Sequence, residues 1–472
     1  MMAVKLVPVK EASPEEIAEK IERLDSYFSS HRTFDRTFRI EQLKKLKKSV
    51  QKYEKEIFDA LHQELGKSEV ETLISDVVTI TSEISYVIKH LKGWMKPDKM
   101  NSGILSFGSK TRVTRAPKGR VLIMSPWNYP INLTLIPLIS SISAGNVTMI
   151  KPSELVPKTS KLLRKIIEET FDPGFVEVVE GGPQTATKLL EFKWGHILFT
   201  GSSRVGKIVY KAAAETLSPV TLELGGKSPT IVDGTSNLNL AAKRIALGSF
   251  FNTGQTCVSP DYILVHKNFK DILIEKLSEQ VKKFYEGKAL DSINFSSIVN
   301  ERSFDRLNSL LDGQNTIVPT QEEKDRERKF IPPTFVLEPS IDTKIMKEEI
   351  FGPILPIKTY TSEEELMSIL AKNPEPLALY IFSKDKDFID RLCMSYPSGD
   401  VVINDAIVHA GLAGSPFGGV GSSGMGTYKG RYGFETFTQI KTVLYGNTLI
   451  DNFLKYPPYP AFMKKLVRWL MG

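Results

Sequence analysis

The chain has 472 residues, 41% hydrophobic and 25% charged. This ordinary globular balance predicts about two to four domains and excludes disorder and a peptide-sized scaffold. Lys and Arg number 62 against 55 Asp and Glu, and the resulting net charge of +7 is dispersed, unlike the concentrated basic face of a nucleic-acid binder.

The first residues, MMAVKLVPVK, form an apolar stretch broken by Lys5 and Pro8, too short for a signal sequence. Segments 14–31 and 38–66 carry apolar residues at helical spacing with charged faces between, and a third helical stretch is expected over 71–95. Pro14 near a start and Gly66 at an end fit the usual asymmetry of helix termini. The pattern then changes to short apolar strands at 112–116, 121–124, 147–150, 176–179, 197–199 and 220–224, with helices between several of them. This alternation indicates a parallel sheet with right-handed crossovers, whose ligands bind beyond the carboxyl ends of the strands. The most apolar window, 133–150, contains Pro137, several Ser and Thr, Gly145 and Asn146. It reads as a buried helix followed by a strand, not as a membrane span, and the chain is expected to be soluble.

From about residue 229 a second α/β alternation begins. It has strands at 262–265, 377–382 and 401–403, a helix over 270–285, and a charged run at 321–329 that reads as solvated loop. Residues 411–426, rich in Gly and Ser, read as loop.

Two cysteines, Cys257 and Cys393, exclude a disulfide scaffold and a cysteine-based zinc site and suit a reducing, cytoplasmic setting. The six histidines (His31, His62, His90, His196, His266, His409) include no pair at helical metal-ligand spacing, so no metal is expected. Cys257 sits in FFNTGQTCVSPDYILV, a polar loop leading into a strand. A lone cysteine is most often a small buried hydrophobe, and Cys393 fits that reading. The loop setting makes Cys257 a candidate nucleophile toward a carbonyl.

Glu223 lies in an apolar strand, where an unused carboxylate is costly. Burial would raise its pKa toward that of a general base, or it pairs with Lys227. Asn128, bracketed by Pro126 and Pro130, is a rigidly held amide suited to an oxyanion, or simply a turn residue. The segment 201–207, GSSRVGK, falls one hydroxyl short of the phosphate loop of nucleoside triphosphatases, because Ile208 stands where Ser or Thr would hold Mg²⁺. It also lacks the middle Gly of the dinucleotide fingerprint. What survives is a helix N-terminus suited to pyrophosphate. Lys151 and Glu154, just past another strand end, could reach ribose hydroxyls.

The segments SPWNYP (125–130), IKPSE (150–154), FTGSSRVG (199–206), LELGGKSP (222–229), GQTC (254–257), EEIFGP (348–353), IND (403–405) and SPFGG (415–419) resemble, in order, those of the aldehyde dehydrogenase superfamily. The surroundings of GQTC, the VHAG after IND and the KYPPYP tail resemble its class 3 branch of fatty and aromatic aldehyde dehydrogenases.

The resemblance implies an α/β fold. A Rossmann-like NAD(P)-binding domain (1–98 and 118–225) would join a catalytic domain (226–435), oligomerisation strands (99–117 and 436–450) and a tail (451–472). It implies NAD or NADP as cofactor, an aldehyde substrate and a homodimer. Cys257 becomes the nucleophile, Glu223 the general base, and Asn128 with the Cys257 amide the oxyanion hole. Lys151, Glu154, Gly201, Ser202, Gly206, Glu349 and Phe351 become cofactor contacts, with Trp127, Tyr129 and Phe417 around the substrate.

Two departures stand out. Pro137 replaces a Lys found in many members, as is usual in class 3, and Lys429 replaces the His common in class 3. The tail segment 461–471 places Phe462, Met463, Leu466, Val467 and Leu470 on one helical face, with Lys464, Lys465 and Arg468 on the other. Packing on the protein's own body or dimer partner, a place at the substrate entrance, and weak peripheral membrane contact are all open to it.

Overall fold

The structure, a computed structural model, describes residues 10–100, 108–449 and 456–470. The first helix, Pro14–Ser29, begins at Pro14 with Ser13 Oγ accepting from the Glu16 amide at 3.1 Å. The segment expected as one helix over 38–66 is two, Arg36–Lys52 and Glu54–Leu65, broken where Tyr53 leaves helical geometry (φ −98°, ψ 14°). Apolar spacing continues through both halves, so the break leaves no mark on the pattern. The stretch expected over 71–95 is Glu69–Thr72 and Thr79–Trp94 joined by a π-helical turn, Leu73–Val78.

Three sheets follow. In the first, Arg120–Met124 lies between Val147–Lys151 and His196–Thr200; Val176–Val178 extends it on one side and Val220–Glu223 on the other, all parallel. Val121, Leu122, Ile123 and Met124 are all buried, because helices cover both faces of a parallel sheet. The helix Asn132–Ala144 is buried from Thr134 to Ala144. Each buried Val, Leu or Ile contributes about 1.5–3 kcal/mol against solvent exposure, so the most apolar window of the chain is accounted for as core.

The second sheet has seven strands, ordered Thr316–Ile317, Thr334–Leu337, Ile354–Tyr360, Tyr262–His266, Pro229–Val232, Ala378–Phe382 and Asp400–Ile403. It is parallel apart from its first pair. The third is antiparallel: Asp98–Met100, Lys110–Pro117 and Thr438–Tyr445, the last two in register from Lys110–Tyr445 to Pro117–Thr438.

The Gly-rich segment 411–426, expected as loop, contains a two-residue strand, Gly424–Met425, antiparallel to Val220–Glu223. Its regularity comes from the partner strand, not from its own residues. Among the described residues no helix is long and apolar enough to cross a membrane and no His/Cys/Asp/Glu group is arranged for a metal ion. Residues 101–107 and 450 of the expected oligomerisation strands, and 451–455 and 471–472 of the expected tail, lie outside the described residues.

Candidate active site

Parallel strands bring their carboxyl ends to one edge. Met124 is level with Lys151 and Phe199, and Thr200 with Glu223. The turns bearing Asn128, Glu154, Ser202 and Glu223 therefore open on the same crevice, where open α/β sheets take ligands.

Cys257 is half-buried in a tightly held loop. Asn252 and Thr253 both sit at positive φ (51° and 56°), which costs about 1–3 kcal/mol each for residues with a Cβ. Side chains offset this: Asn252 Nδ2 donates to the Asn128 carbonyl at 3.0 Å, and Thr253 Oγ1 donates to the Ser296 carbonyl. Gly254 (φ 71°) has no room for a side chain, since a Cβ would lie 2.3 Å from the Gly352 carbonyl oxygen. Asn128 is buried, and its Nδ2 donates to the Gln255 carbonyl at 3.0 Å. An amide nitrogen carries two hydrogens, so a second donor remains beside the Cys257 loop.

Burial pushes the Cys257 thiol up to about 12, and the nearby Glu349 and Glu223 carboxylates push the same way; the Cys257 and Val258 amides oppose them.

Glu223 is buried, and neither carboxylate oxygen has a hydrogen-bond partner. Burial raises its pKa well above the ordinary carboxylate value; Lys429 opposes the rise and Asp400 adds to it. The alternative pairing with Lys227 is absent: Lys227 is bound to Asp261 and to the Glu348 carbonyl.

Lys429 is buried at φ 79°, donates to the Ala410 carbonyl, and lies 5.1 Å from the Phe417 ring centroid. Burial lowers its pKa, against the charges of Glu83, Asp400, Glu223 and Cys257. Beside it, His409 is lowered to about 4 by burial and by Lys429, and Asp400 is raised to about 6 by burial. Sequence reasoning named neither Asp400 nor His409 as a site residue. Each is a lone polar residue whose partners come from elsewhere in the chain.

On the aromatic side, Trp127 and Phe351 meet edge to face at 5.5 Å. Phe417 is buried against His409 and Tyr428, at 6.3 and 5.8 Å. Tyr129 is also buried, its hydroxyl 2.6 Å from Thr256 Oγ1.

The other half of the crevice offers anion and hydroxyl contacts. Ser202 caps the helix Ser203–Thr216, whose first amides face the crevice end of the sheet. Gly206 packs so closely on Leu224 that a Cβ would lie 2.6 Å from it, and at Gly201 a Cβ would lie 2.6 Å from the Phe199 ring. Lys207 and Ile208 are both exposed, and Ile208 leaves the phosphate-loop reading without the hydroxyl that would hold Mg²⁺. Lys151 Nζ holds Glu154 Oε2 at 2.8 Å. Glu349, raised to about 8 by burial and Asp261, accepts from the Gly226 amide at 3.2 Å, next to Phe351. The carboxylates, the lysine and the free helix end are a donor set that fits the ribose and pyrophosphate groups of a dinucleotide.

The model of the aldehyde dehydrogenase family matches residues 3–443. The chain is 42% identical to the 4,4'-diaponeurosporen-aldehyde dehydrogenase of Staphylococcus aureus over 95% of this chain and 98% of that one. It is 39% identical to the dimeric NADP-preferring aldehyde dehydrogenase of Canis lupus familiaris over 95% and 99%. The solved substrate-bound state of Staphylococcus aureus AldH superposes with a TM-score of 0.94, at 41% identity, over 97% of this chain and 99% of that one.

Proposed function

The chain belongs to the aldehyde dehydrogenase family, and from that premise we propose that it oxidises an aliphatic medium- or long-chain, or aromatic, aldehyde to the carboxylic acid with NAD or NADP. The observation that carries this reading is the setting of Cys257: Asn128 Nδ2, bound to the Gln255 carbonyl, keeps a second hydrogen to donate beside that loop, and the unpartnered Glu223 carboxylate lies near enough to raise the thiol's pKa.

The cofactor would be held by the Ser202 end of its helix, with Gly201 and Gly206 allowing close packing, by Lys151 and Glu154 at one ribose, and by Glu349 and Phe351 at the other. When bound, the nicotinamide accepts the hydride. Cys257 gives up its thiol proton to water, and the resulting thiolate adds to the carbonyl carbon. Asn128 Nδ2 and the Cys257 amide stabilise the oxyanion of the thiohemiacetal, which becomes a thioester as the hydride leaves. Glu223 then takes a proton from water as that water attacks the thioester, and the acid departs from the thiolate. Trp127, Tyr129 and Phe417 surround the aldehyde. The same reading assigns residues 1–98 and 118–225 to cofactor binding, 226–435 to catalysis, and 99–117 with 436–450, which include the strands Lys110–Pro117 and Thr438–Tyr445, to a homodimer. Exposed Ile440, Leu444 and Tyr445 support that last role. A cytoplasmic location, with at most peripheral membrane contact through the tail, completes it.

The test is cofactor reduction, followed by absorbance, with NAD and NADP across an aldehyde panel. The expected result is turnover that Cys257→Ala abolishes while cofactor binding persists. Retained turnover in that variant, or loss only in Cys393→Ala, would overturn the reading.

A further inference from the structure

Beneath the Cys257 loop lies a buried charge cluster that the proposed chemistry does not use. Lys67 is fully buried, and its Nζ has no hydrogen-bond partner. Its nearest anion is Asp76, also fully buried, at 3.6 Å. The ammonium sits 3.8 Å from the Tyr129 ring centroid. An isolated buried cation is expensive, and a desolvated one over an aromatic face is attracted by the ring quadrupole.

Asp76 is delivered by the π-helical turn Leu73–Val78, a rare geometry frequent at functional sites. It is fixed there by the Asn132 amide at 3.0 Å and Ser75 Oγ at 2.7 Å. The cluster reaches the loop twice. The Tyr129 hydroxyl is 2.6 Å from Thr256 Oγ1, one residue before Cys257. Glu71, buried beside Lys67, accepts from Ser296 Oγ at 3.3 Å, and the Ser296 carbonyl holds Thr253.

We propose that Lys67 is a positioning residue for the nucleophile: its buried ammonium, anchored by Asp76, holds the Tyr129 ring so that the hydroxyl fixes Thr256 and with it Cys257 against Asn128. Either oxygen of the Tyr129–Thr256 pair can donate; a cation on the ring face draws electron density from the phenol and favours Tyr129 as the donor. This rests on the assignment of Cys257 as nucleophile. Lys67 touches neither the thiol nor the crevice; it acts through Tyr129 and Thr256, and Glu71 with Ser296 forms the second link from the cluster to the loop.

The experiment is a double-mutant cycle on full-length protein with Lys67→Met, Tyr129→Phe and the combination, with Cys257→Ala as control. Met preserves the length of the lysine stem without its charge, and Phe removes only the hydroxyl. Each single variant is expected to lower kcat about ten-fold or more, leaving the KM for aldehyde and cofactor unchanged. The combination should lose little beyond the worse single variant, as coupled neighbours do. A purely structural role would lower the thermal midpoint, leave kcat of the folded enzyme intact and show no coupling. Unchanged kcat in Tyr129→Phe, or losses that simply multiply, would overturn the proposal. If Lys67→Met does not fold, Tyr129→Phe decides alone. An inactive parent, or an active Cys257→Ala control, would count against the nucleophile assignment instead.

Discussion

Asn252 clamps Asn128 to the Cys257 loop: Asn252 Nδ2 donates to the Asn128 carbonyl at 3.0 Å, while Asn128 Nδ2 donates to the carbonyl of Gln255, also at 3.0 Å. Asn252 manages this from a left-handed backbone conformation. The amide that would face the developing oxyanion is therefore fixed before substrate arrives, and a preorganised donor costs no reorganisation during the reaction.

Asn128→Ala is accordingly expected to lower kcat by about 10²–10³-fold, the usual loss for one oxyanion donor. Steady-state kinetics check this directly. A change confined to KM would make Asn128 a binding residue.

Glu223→Gln separates the two halves of the reaction. In the proposed mechanism hydride transfer depends on Cys257 and deacylation on Glu223, so a pre-steady-state burst of reduced cofactor should survive while steady turnover falls by roughly 10²–10⁴-fold. The change also removes a negative charge that raises the Cys257 pKa, so alkylation of the thiol at fixed pH should become faster. Loss of the burst with deacylation intact would contradict the role.

The parts of this site that the sequence makes legible are those with local signals. Cys257 stands in a polar loop, Glu223 interrupts an apolar strand, and Lys151 with Glu154 follows a strand end, so chemistry and position are read together. The parallel sheet is legible for the same reason, since strand and helix alternate within short windows. Lys429 beside Asp400 and His409, and Lys67 over Tyr129, are encounters between distant segments. Nothing near Lys67 in sequence distinguishes it from a surface lysine, because its burial is decided by the packing of Tyr129 and Asp76. The break at Tyr53 and the strand Gly424–Met425 escape notice for a related reason: one preserves apolar spacing, and the other borrows its regularity from Val220–Glu223.

Lys429→Met tests how Glu223 is tuned. Burial raises the Glu223 pKa and the Lys429 charge opposes that rise. In the proposed mechanism deacylation uses the Glu223 carboxylate, so its rate should increase as pH rises through the Glu223 pKa. Without the cation the ionised form is less stable, and the acid limb of the deacylation profile should move to higher pH. Lys429→Arg keeps a charge and should shift it less. An unmoved limb in Lys429→Met would mean that Lys429 serves only its bond to the Ala410 carbonyl and its packing on Phe417.

The tail provides the remaining test. The helix Met463–Leu470 half-buries Met463, Leu466 and Val467 and exposes Lys464, Lys465 and Arg468, the division expected from its spacing, but Phe462 and Trp469 are exposed as well. A two-turn helix is marginal alone and depends on the surface it covers. If that surface borders the route taken by an alkyl chain, truncation after Pro460 should alter long-chain aldehydes and leave a small aldehyde nearly unaffected. The expected result is a changed ratio of kcat/KM between the two substrate classes, with kcat on the small one preserved. An unchanged ratio would leave the helix a packing role. Vesicle co-sedimentation that disappears on truncation would instead assign Trp469 and the basic residues to a lipid surface.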